Sequence, residues 1–285
     1  MKRIVIDAPA KINLALDVVG KRDDGYHLLE TVFQSVSIYD RLTISLKDES
    51  GIDITCNIPY IPCNEKNLAY KTANAFIKKT GMRNGVSIQL YKRIPSQAGM
   101  GGGSSDAAAV LKGLNKLTGS KLTSDELCDI AVTLGADVPF FIYGGTAYAE
   151  GIGEKLETLP FLKELNVVVA KGRGGISTPE AYKRIDALQN PIHPNTQALR
   201  KALKCGEDIH KLWQYCGNIF EEITDLKDVS AIRNIMRKMG ADFVCMSGSG
   251  SSVFGIFKSL GAAWKCRDVL AKKYPFAVCC KTTDK

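Results

Sequence analysis

A chain of 285 residues, 45% hydrophobic and 24% charged, has apolar material for one large domain or two modest ones, each with its own core. Its longest apolar runs, such as FVCM and VVVA, are far shorter than the roughly 20 residues of a membrane span, which excludes a membrane partner. The formal charge of +8 is spread along the chain without any nucleic-acid module signature, so small anionic ligands such as nucleotides are favoured over nucleic acid.

The first ninety or so residues read as strands. RIVIDAPAKINLALDVV, LLETVFQSVSIYDRLTISL and IDITCNI are rich in β-branched and aromatic residues, with turn signals at KRDDG and KDESG between them. EKNLAYKTANAFIKKTG predicts a helix: Leu68, Ala69, Thr72, Ala73, Ala75 and Phe76 make one apolar face, and Gly81 suits its C-terminal cap. GVSIQLYKRIP returns to strand, with Val86, Ile88 and Leu90 alternating. A glycine-rich loop follows, then a helix over SDAAAVLKGLNKLTG and another over TSDELCDIAVTLG, where Thr123 and Glu126 are spaced as a capping box. Beyond GADVPFFIYGGTAYAEGIGEKLETLP the texture changes to strand NVVVAK, glycine-rich GRGGIS and several helices between Thr178 and Gly240. A strand pair in DFVCMSGSGSSVFGIF, a helix over Leu260–Lys273 and a last strand AVCCKT complete the chain. Runs of strands beside runs of helices predict an α+β fold, with a domain boundary near residue 160 dividing 1–160 from 161–285.

Nine cysteines without a C-x-x-C pair predict reduced thiols in a cytoplasm. The three histidines, at 27, 193 and 210, make no metal-type spacing. Asp7, Lys11, Asn13 and Asp17 interrupt the N-terminal apolar stretch, so a first strand is expected there in place of a signal peptide.

The stretch IPSQAGMGGGSSDAAA carries the chemistry. Gly99, Gly101, Gly102 and Gly103 place four glycines in five positions directly ahead of a helix expected to start at Ser104 or Ser105. Backbone N–H groups unobstructed by Cβ atoms curl around an anion, and the helix N-terminus adds its unpaired donors. Both hydroxyls can donate to phosphate or reach a metal ion that bridges phosphates. The Walker pattern is absent, since no Gly-Lys-Ser or Gly-Lys-Thr occurs. A dinucleotide fingerprint starting at Gly99 fails at Ser104 and lacks a βαβ context.

Other residues stand out against plainer readings. Asp137 lies between Ala136 and the apolar run Val138–Pro139–Phe140–Phe141, a costly setting for a carboxylate unless it is paired, functional or at a helix end. Lys11 interrupts an apolar strand, where it either points outward or has an anionic partner; Asn13, two residues on, shares its face. Asn67 suits a helix N-cap. Gly25–Tyr26–His27 follows a tight charged turn and would ordinarily open the next strand, and GSGSS, Gly248 to Ser252, would ordinarily close a hairpin.

PSQAGMGGGSSDAAA resembles the phosphate loop of the galactokinase–homoserine kinase–mevalonate kinase–phosphomevalonate kinase (GHMP) superfamily, with its P-x-x-x-G-L-G-S-S-A-A type motif. APAKINLALDVVGKRDDGYHLLETVFQ, LGADVPFFIYGGTAYAEGIGE and MSGSGSSVFGIF are similar to its branch that phosphorylates a cytidine-diphosphate-linked methylerythritol, and they fall in the expected order along the chain. The resemblance implies a ribosomal-protein-S5-like N-terminal domain, a ferredoxin-like C-terminal domain, and an ATP-dependent, Mg2+-assisted alcohol kinase. It implies catalytic roles for Asp137 and Lys11, and ATP contacts from Pro95, Ser96, Gln97, Ala98, Gly99, Met100, Gly101, Gly102, Gly103, Ser104, Ser105 and Asn67. It further implies substrate contacts from Asn13, Tyr26, His27, Thr178 and Tyr182: Tyr26 stacks on cytosine, His27 bonds its edge and Tyr182 stacks on the opposite face. Gln97 stands where the family often has glycine, Met100 where leucine is usual and Ser251 where proline is common. A sibling kinase for homoserine or mevalonate, or a nucleotide sensor without activity, are the alternatives. The GYH pair argues against the first, and Lys11 retained with Asp137 against the second.

Overall fold

The computed structural model describes residues 2–285. The chain forms two compact units that interleave along the sequence: the first holds the N-terminal residues up to Ala10 with 38–96 and 101–143, the second 11–37, 97–100 and 144–285. The units do not follow a single cut near residue 160, because the first two strands, β1 (Arg3–Lys21) and β2 (His27–Lys47), each run from one unit into the other.

In the first unit the latter part of β2 is joined by β3 (Ile52–Cys56), α1 (Leu68–Thr80), β4 (Gly85–Tyr91), α2 (Gly102–Thr118), α3 (Ser124–Val132) and the short α4 (Val138–Tyr143). β4 runs antiparallel to β2, with Leu42 opposite Leu90 and Ile44 opposite Ile88, and parallel to β3. The alternation read from sequence is realised, with Val86, Ile88 and Leu90 buried. α1 buries Ala69, Thr72, Ala73 and Phe76 and ends at Gly81, whose left-handed φ of 67° lets its N–H reach the Ile77 carbonyl. The capping box of α3 forms as expected, with Thr123 and Glu126 each bonding the other's backbone N–H.

α2 starts two residues before the expected Ser104. Gly101, left-handed at φ 68°, caps it, and the Ser105 N–H already donates to the Gly101 carbonyl at 2.8 Å. Its small residues serve close packing: a Cβ on Gly113 would lie 2.6 Å from the Ile44 side chain.

The second unit holds the remaining parts of β1 and β2, then β5 (Thr146–Glu150), β6 (Lys155–Leu159), β7 (Asn166–Lys171), α5 (Thr178–Asp186), α6 (Thr196–Lys204), α7 (Ile209–Leu212), β8 (Gly217–Asn218), α8 (Lys227–Lys238), β9 (Phe243–Met246), β10 (Val253–Phe257), α9 (Leu260–Ala271) and β11 (Phe276–Lys281). Here β5 lies antiparallel to β2 and to β6, and β8 pairs in parallel with β1 at Ala15 and Leu16. A separate antiparallel sheet has the order β11-β7-β10-β9. Val229, Ile232 and Met236 of α8 and Ala263, Cys266 and Leu270 of α9 share a core with Val168, Ala170, Val253 and Phe257. Each large apolar side chain so buried contributes about 1.5–3 kcal/mol. The fold is α+β, and among the described residues no helix is long and apolar enough to cross a membrane.

Candidate functional site

The glycine loop leaves β4 and runs to α2. Its apolar residues, Ala98 and Met100, are buried, so Met100 takes the anchoring place of the usual leucine, while Gly103 is exposed. Three positions turn left-handed: Gln97 at φ 49°, Gly99 at 69° and Gly101 at 68°. Gln97 carries a side chain in a conformation that L residues occupy at a cost of roughly 1 kcal/mol or more, a physical reason for glycine at this position. Gln97→Gly is expected to leave the melting temperature unchanged or raise it by a few degrees in thermal denaturation. A drop of several degrees would mean that the glutamine side chain holds the loop.

Within the second unit, the Gln97–Met100 segment is gripped by the GSGSS turn. A Cβ on Gly99 would fall 1.9 Å from the Ser247 carbonyl oxygen, and one on Gly248 2.8 Å from the Gly99 Cα, so the two backbones meet where no side chain fits. The Ser247 hydroxyl donates to the Gly99 carbonyl at 2.8 Å. Asn218, which no local sequence pattern marks, holds the turn by donating its amide to the Met246 and Gly248 carbonyls, both at 2.8 Å. GRGGIS comes in from the other side: the Ser251 hydroxyl donates to the Gly174 carbonyl at 2.5 Å, and the Thr178 and Ser249 hydroxyls are 3.2 Å apart. Ser251 thus uses an O–H donor that proline would lack.

Lys11 and Asn13 sit on the same face of β1, as their spacing predicts. Lys11 is 3% exposed, and its ammonium donates to Asn13 Oδ1 at 2.7 Å and lies 5.1 Å from the centre of the Phe33 ring. Asn13 Oδ1 also accepts the Gly248 N–H at 2.9 Å, its amide donates to Thr31 Oγ1 at 2.8 Å, and the Lys11 N–H donates to the Met100 carbonyl at 3.1 Å. In this unit the lysine, the asparagine, the loop and the GSGSS turn form one hydrogen-bonded cluster.

Tyr26, 60% exposed, directly precedes β2, and His27 is its first residue. The His27 ring is stacked on Tyr182 of α5, centroids 4.4 Å apart at 14°, and its Nε2 is 2.7 Å from Asp186 Oδ1. Tyr182 therefore gives one face to His27, and its ring meets Phe220 edge-on. That face of Tyr182 is covered by the His27 ring and is not open to a base.

In the first unit, α2 begins over a buried charge cluster that no local pattern revealed. Lys92 Nζ donates to Asp40 and Asp106 together, and Asp40 Oδ1 accepts the Arg93 and Ile94 N–H groups at 2.5 and 2.8 Å. A Cβ on Gly102 would sit 3.4 Å from that ammonium. Burial pushes the Asp106 carboxyl up to about 7, and Lys92 pulls the other way. Asp137 is half-buried in the turn directly before α4, ahead of buried Val138, Pro139 and Phe140. Asn67 caps α1: Oδ1 accepts the Ala69 N–H at 2.9 Å and Nδ2 donates to the Pro62 carbonyl at 2.7 Å, so its side chain is committed to the fold. Pro95 and Ser96 lie in the loop that leaves β4.

No group of three or more His, Cys, Asp or Glu among the described residues could hold a metal by itself. An ion carried in with a triphosphate asks less: one or two protein oxygens suffice. Ser105 at the start of α2 is 1% exposed, and its buried hydroxyl has no hydrogen-bond partner, which fits that need.

Residues 67–145 match the family model for the GHMP kinases N terminal domain, and residues 196–275 that for GHMP kinases C terminal. The chain belongs to the GHMP kinase family. This GHMP kinase is 43% identical over 270 residues, 94% of its own length and 95% of the relative's, to 4-diphosphocytidyl-2-C-methyl-D-erythritol kinase from Clostridium novyi. It is 42% identical over 261 residues to the kinase of that name from Acetivibrio thermocellus, covering 91% of this chain and 92% of the relative. A crystal structure of 4-(cytidine 5'-diphospho)-2C-methyl-D-erythritol kinase superposes with a TM-score of 0.83 at 35% identity, over 99% of this chain and 100% of the other. Homoserine kinase from Cytophaga hutchinsonii, at 20% identity and TM-score 0.75 over 100% of this chain and 95% of the other, shares the fold. Within the GHMP kinases the chain falls in the 4-diphosphocytidyl-2-C-methyl-D-erythritol kinase branch and is a phosphotransferase.

Proposed function

We propose that this kinase transfers the γ-phosphoryl group of ATP to the 2-hydroxyl of 4-diphosphocytidyl-2-C-methyl-D-erythritol, giving the 2-phosphate and ADP in non-mevalonate isoprenoid precursor synthesis. The observation that carries it is the seat of Lys11: an ammonium buried against Asn13, on a strand whose N–H bonds the glycine loop. Holding a nucleotide does not require such a buried cation, whereas neutralising charge in phosphoryl transfer does.

Along the chain, and apart from the interleaved compact units, residues 1–160 carry the ATP-binding segments and 161–285 the second family domain. Pro95 to Ser105 cradle the triphosphate through backbone N–H groups, and the segment at Asn67 borders the adenine. Asp137 takes the proton of the 2-hydroxyl as its oxygen bonds the γ-phosphorus and the bond to the β-phosphate oxygen breaks. Lys11 stabilises the charge that develops, and Asn13 holds the acceptor alcohol. Mg2+ bound with ATP at Ser105 would neutralise phosphate charge. Tyr26 stacks on cytosine and His27 bonds its edge, with Tyr182 and Thr178 forming the wall behind them. All nine cysteines are free thiols, in keeping with a cytoplasmic enzyme whose partners are small molecules.

The test is ADP release from ATP and magnesium with the cytidyl substrate, mevalonate or homoserine as acceptor. Turnover confined to the cytidyl substrate is expected. Turnover on another acceptor would retain a kinase and discard the base pocket, and ATP binding without turnover on any would favour a sensor.

A further inference from the structure

Lys21 at the end of β1, His27 at the start of β2 and the last turn of α5 meet within the second unit. Asp186 is the final residue of α5. A carboxylate there faces the negative end of the helix dipole, an unfavourable place unless other groups hold it. Lys21 Nζ is 2.7 Å from Asp186 Oδ2, and His27 Nε2 is 2.7 Å from Asp186 Oδ1. Tyr182 lies one helical turn before Asp186, so α5 presents a ring against the face of His27 and a carboxylate against its edge from the same side.

This fixes more than orientation. The hydrogen bonds from Lys21 and His27 hold the Asp186 carboxyl below the usual carboxylate range, so it is an anion. An ionised carboxylate only accepts hydrogen bonds, and the ring nitrogen facing it must carry a proton. In the neutral ring Nε2 is then the donor and Nδ1 keeps a lone pair. Nδ1 makes no hydrogen bond to the described residues, and the side chain as a whole is 10% exposed.

A cytosine linked through N1 offers one hydrogen-bond donor, its 4-amino group. Uracil carries a carbonyl at the same place, and an Nδ1 lone pair aimed there meets a second acceptor. We propose that Asp186 is a specificity-determining positioning residue: by holding His27 as the Nε2–H tautomer, it makes the ring an acceptor that selects the cytosine 4-amino group over the uracil 4-carbonyl. The inference rests on the reading that His27 meets the base, and it extends that reading to a residue 159 positions away in the chain.

The experiment compares kcat/KM for cytidine- and uridine-diphosphate-linked methylerythritol in the wild type, Asp186→Asn and Asp186→Glu, and follows the tautomer by long-range 1H–15N correlation of ring-labelled histidine. The wild type is expected to prefer the cytidyl substrate and to show the Nε2–H tautomer at His27. Asp186→Asn, whose amide accepts or donates equally well, is expected to give mixed tautomers. It should lose about 10- to 100-fold of the preference, the range for one mispaired polar group. Its KM for the cytidyl substrate should rise while kcat holds, and Asp186→Glu should restore much of the ratio. A wild type showing the Nδ1–H tautomer or an imidazolium, or an unchanged ratio in Asp186→Asn, overturns the inference and leaves the kinase reading intact. A wild type that handles both bases equally, or neither, overturns the base-reading role of His27 and the inference with it.

Discussion

Replacing Asp137 with asparagine is expected to lower kcat by about 10²–10⁴-fold, the range for a positioned acid–base group. On the proposed reading, in which backbone N–H groups of the glycine loop hold the triphosphate, the KM for ATP should change little. Asparagine matches aspartate in shape and serves equally well before a helix, so α4 should still form behind the same buried Val138 and Phe140. What it cannot do is take a proton. Steady-state ADP release beside a thermal melt separates the two: turnover falls and the melting temperature holds. Wild-type turnover in Asp137→Asn would remove this residue from the chemistry. A lost melting transition would mark it as structural.

The second large effect concerns stability. Lys92 is bonded between Asp40 and Asp106, whose side chains are 0% and 6% exposed. Lys92→Met keeps the length of the side chain and removes the charge, leaving two buried carboxylates facing each other under the start of α2. Breaking a buried ion pair in this way costs about 3–5 kcal/mol. For a chain of this size that corresponds to a melting temperature lower by about 6–10 °C. Adding Asp40→Asn and Asp106→Asn to Lys92→Met should recover most of the loss, since a neutral cluster has no charge to leave unpaired. A single Lys92→Met variant that melts like the wild type would show that the cluster is open to water. A triple variant no better than the single would show that packing, and not charge, was lost.

Much of this was legible from local pattern. The alternation of Val86, Ile88 and Leu90, the caps at Gly81 and Thr123, and the glycine loop ahead of a small-residue helix each depend on neighbours within a few positions. The structure carries all of them. Its finer geometry needed tertiary partners. Lys92 reaches Asp40 across 52 positions, and Asn218 holds the GSGSS turn from 28 and 30 positions away. No periodicity encodes such pairs. The sequence suggests a later start for α2 because serines look like caps, whereas Gly101 takes a left-handed cap that needs no side chain. The interleaving of the units was hidden because β1 and β2 read as uninterrupted strands, and nothing in a strand pattern says where its partners change. Asn67 read equally well as a cap and as an adenine contact. Its side chain turns out to be engaged at both ends within the fold.

The most direct test of the central claim is the proton-coupled phosphorus NMR spectrum of the product made from ATP and 4-diphosphocytidyl-2-C-methyl-D-erythritol. The carbon that bears the 2-hydroxyl carries no hydrogen, so a phosphate placed there has no three-bond proton coupling. The account predicts a new monoester resonance that stays a singlet, beside an intact diphosphate. A monoester split into a doublet or triplet would put the phosphate on a secondary or primary hydroxyl, and no new monoester at all would deny the transfer. Either result would contradict the account.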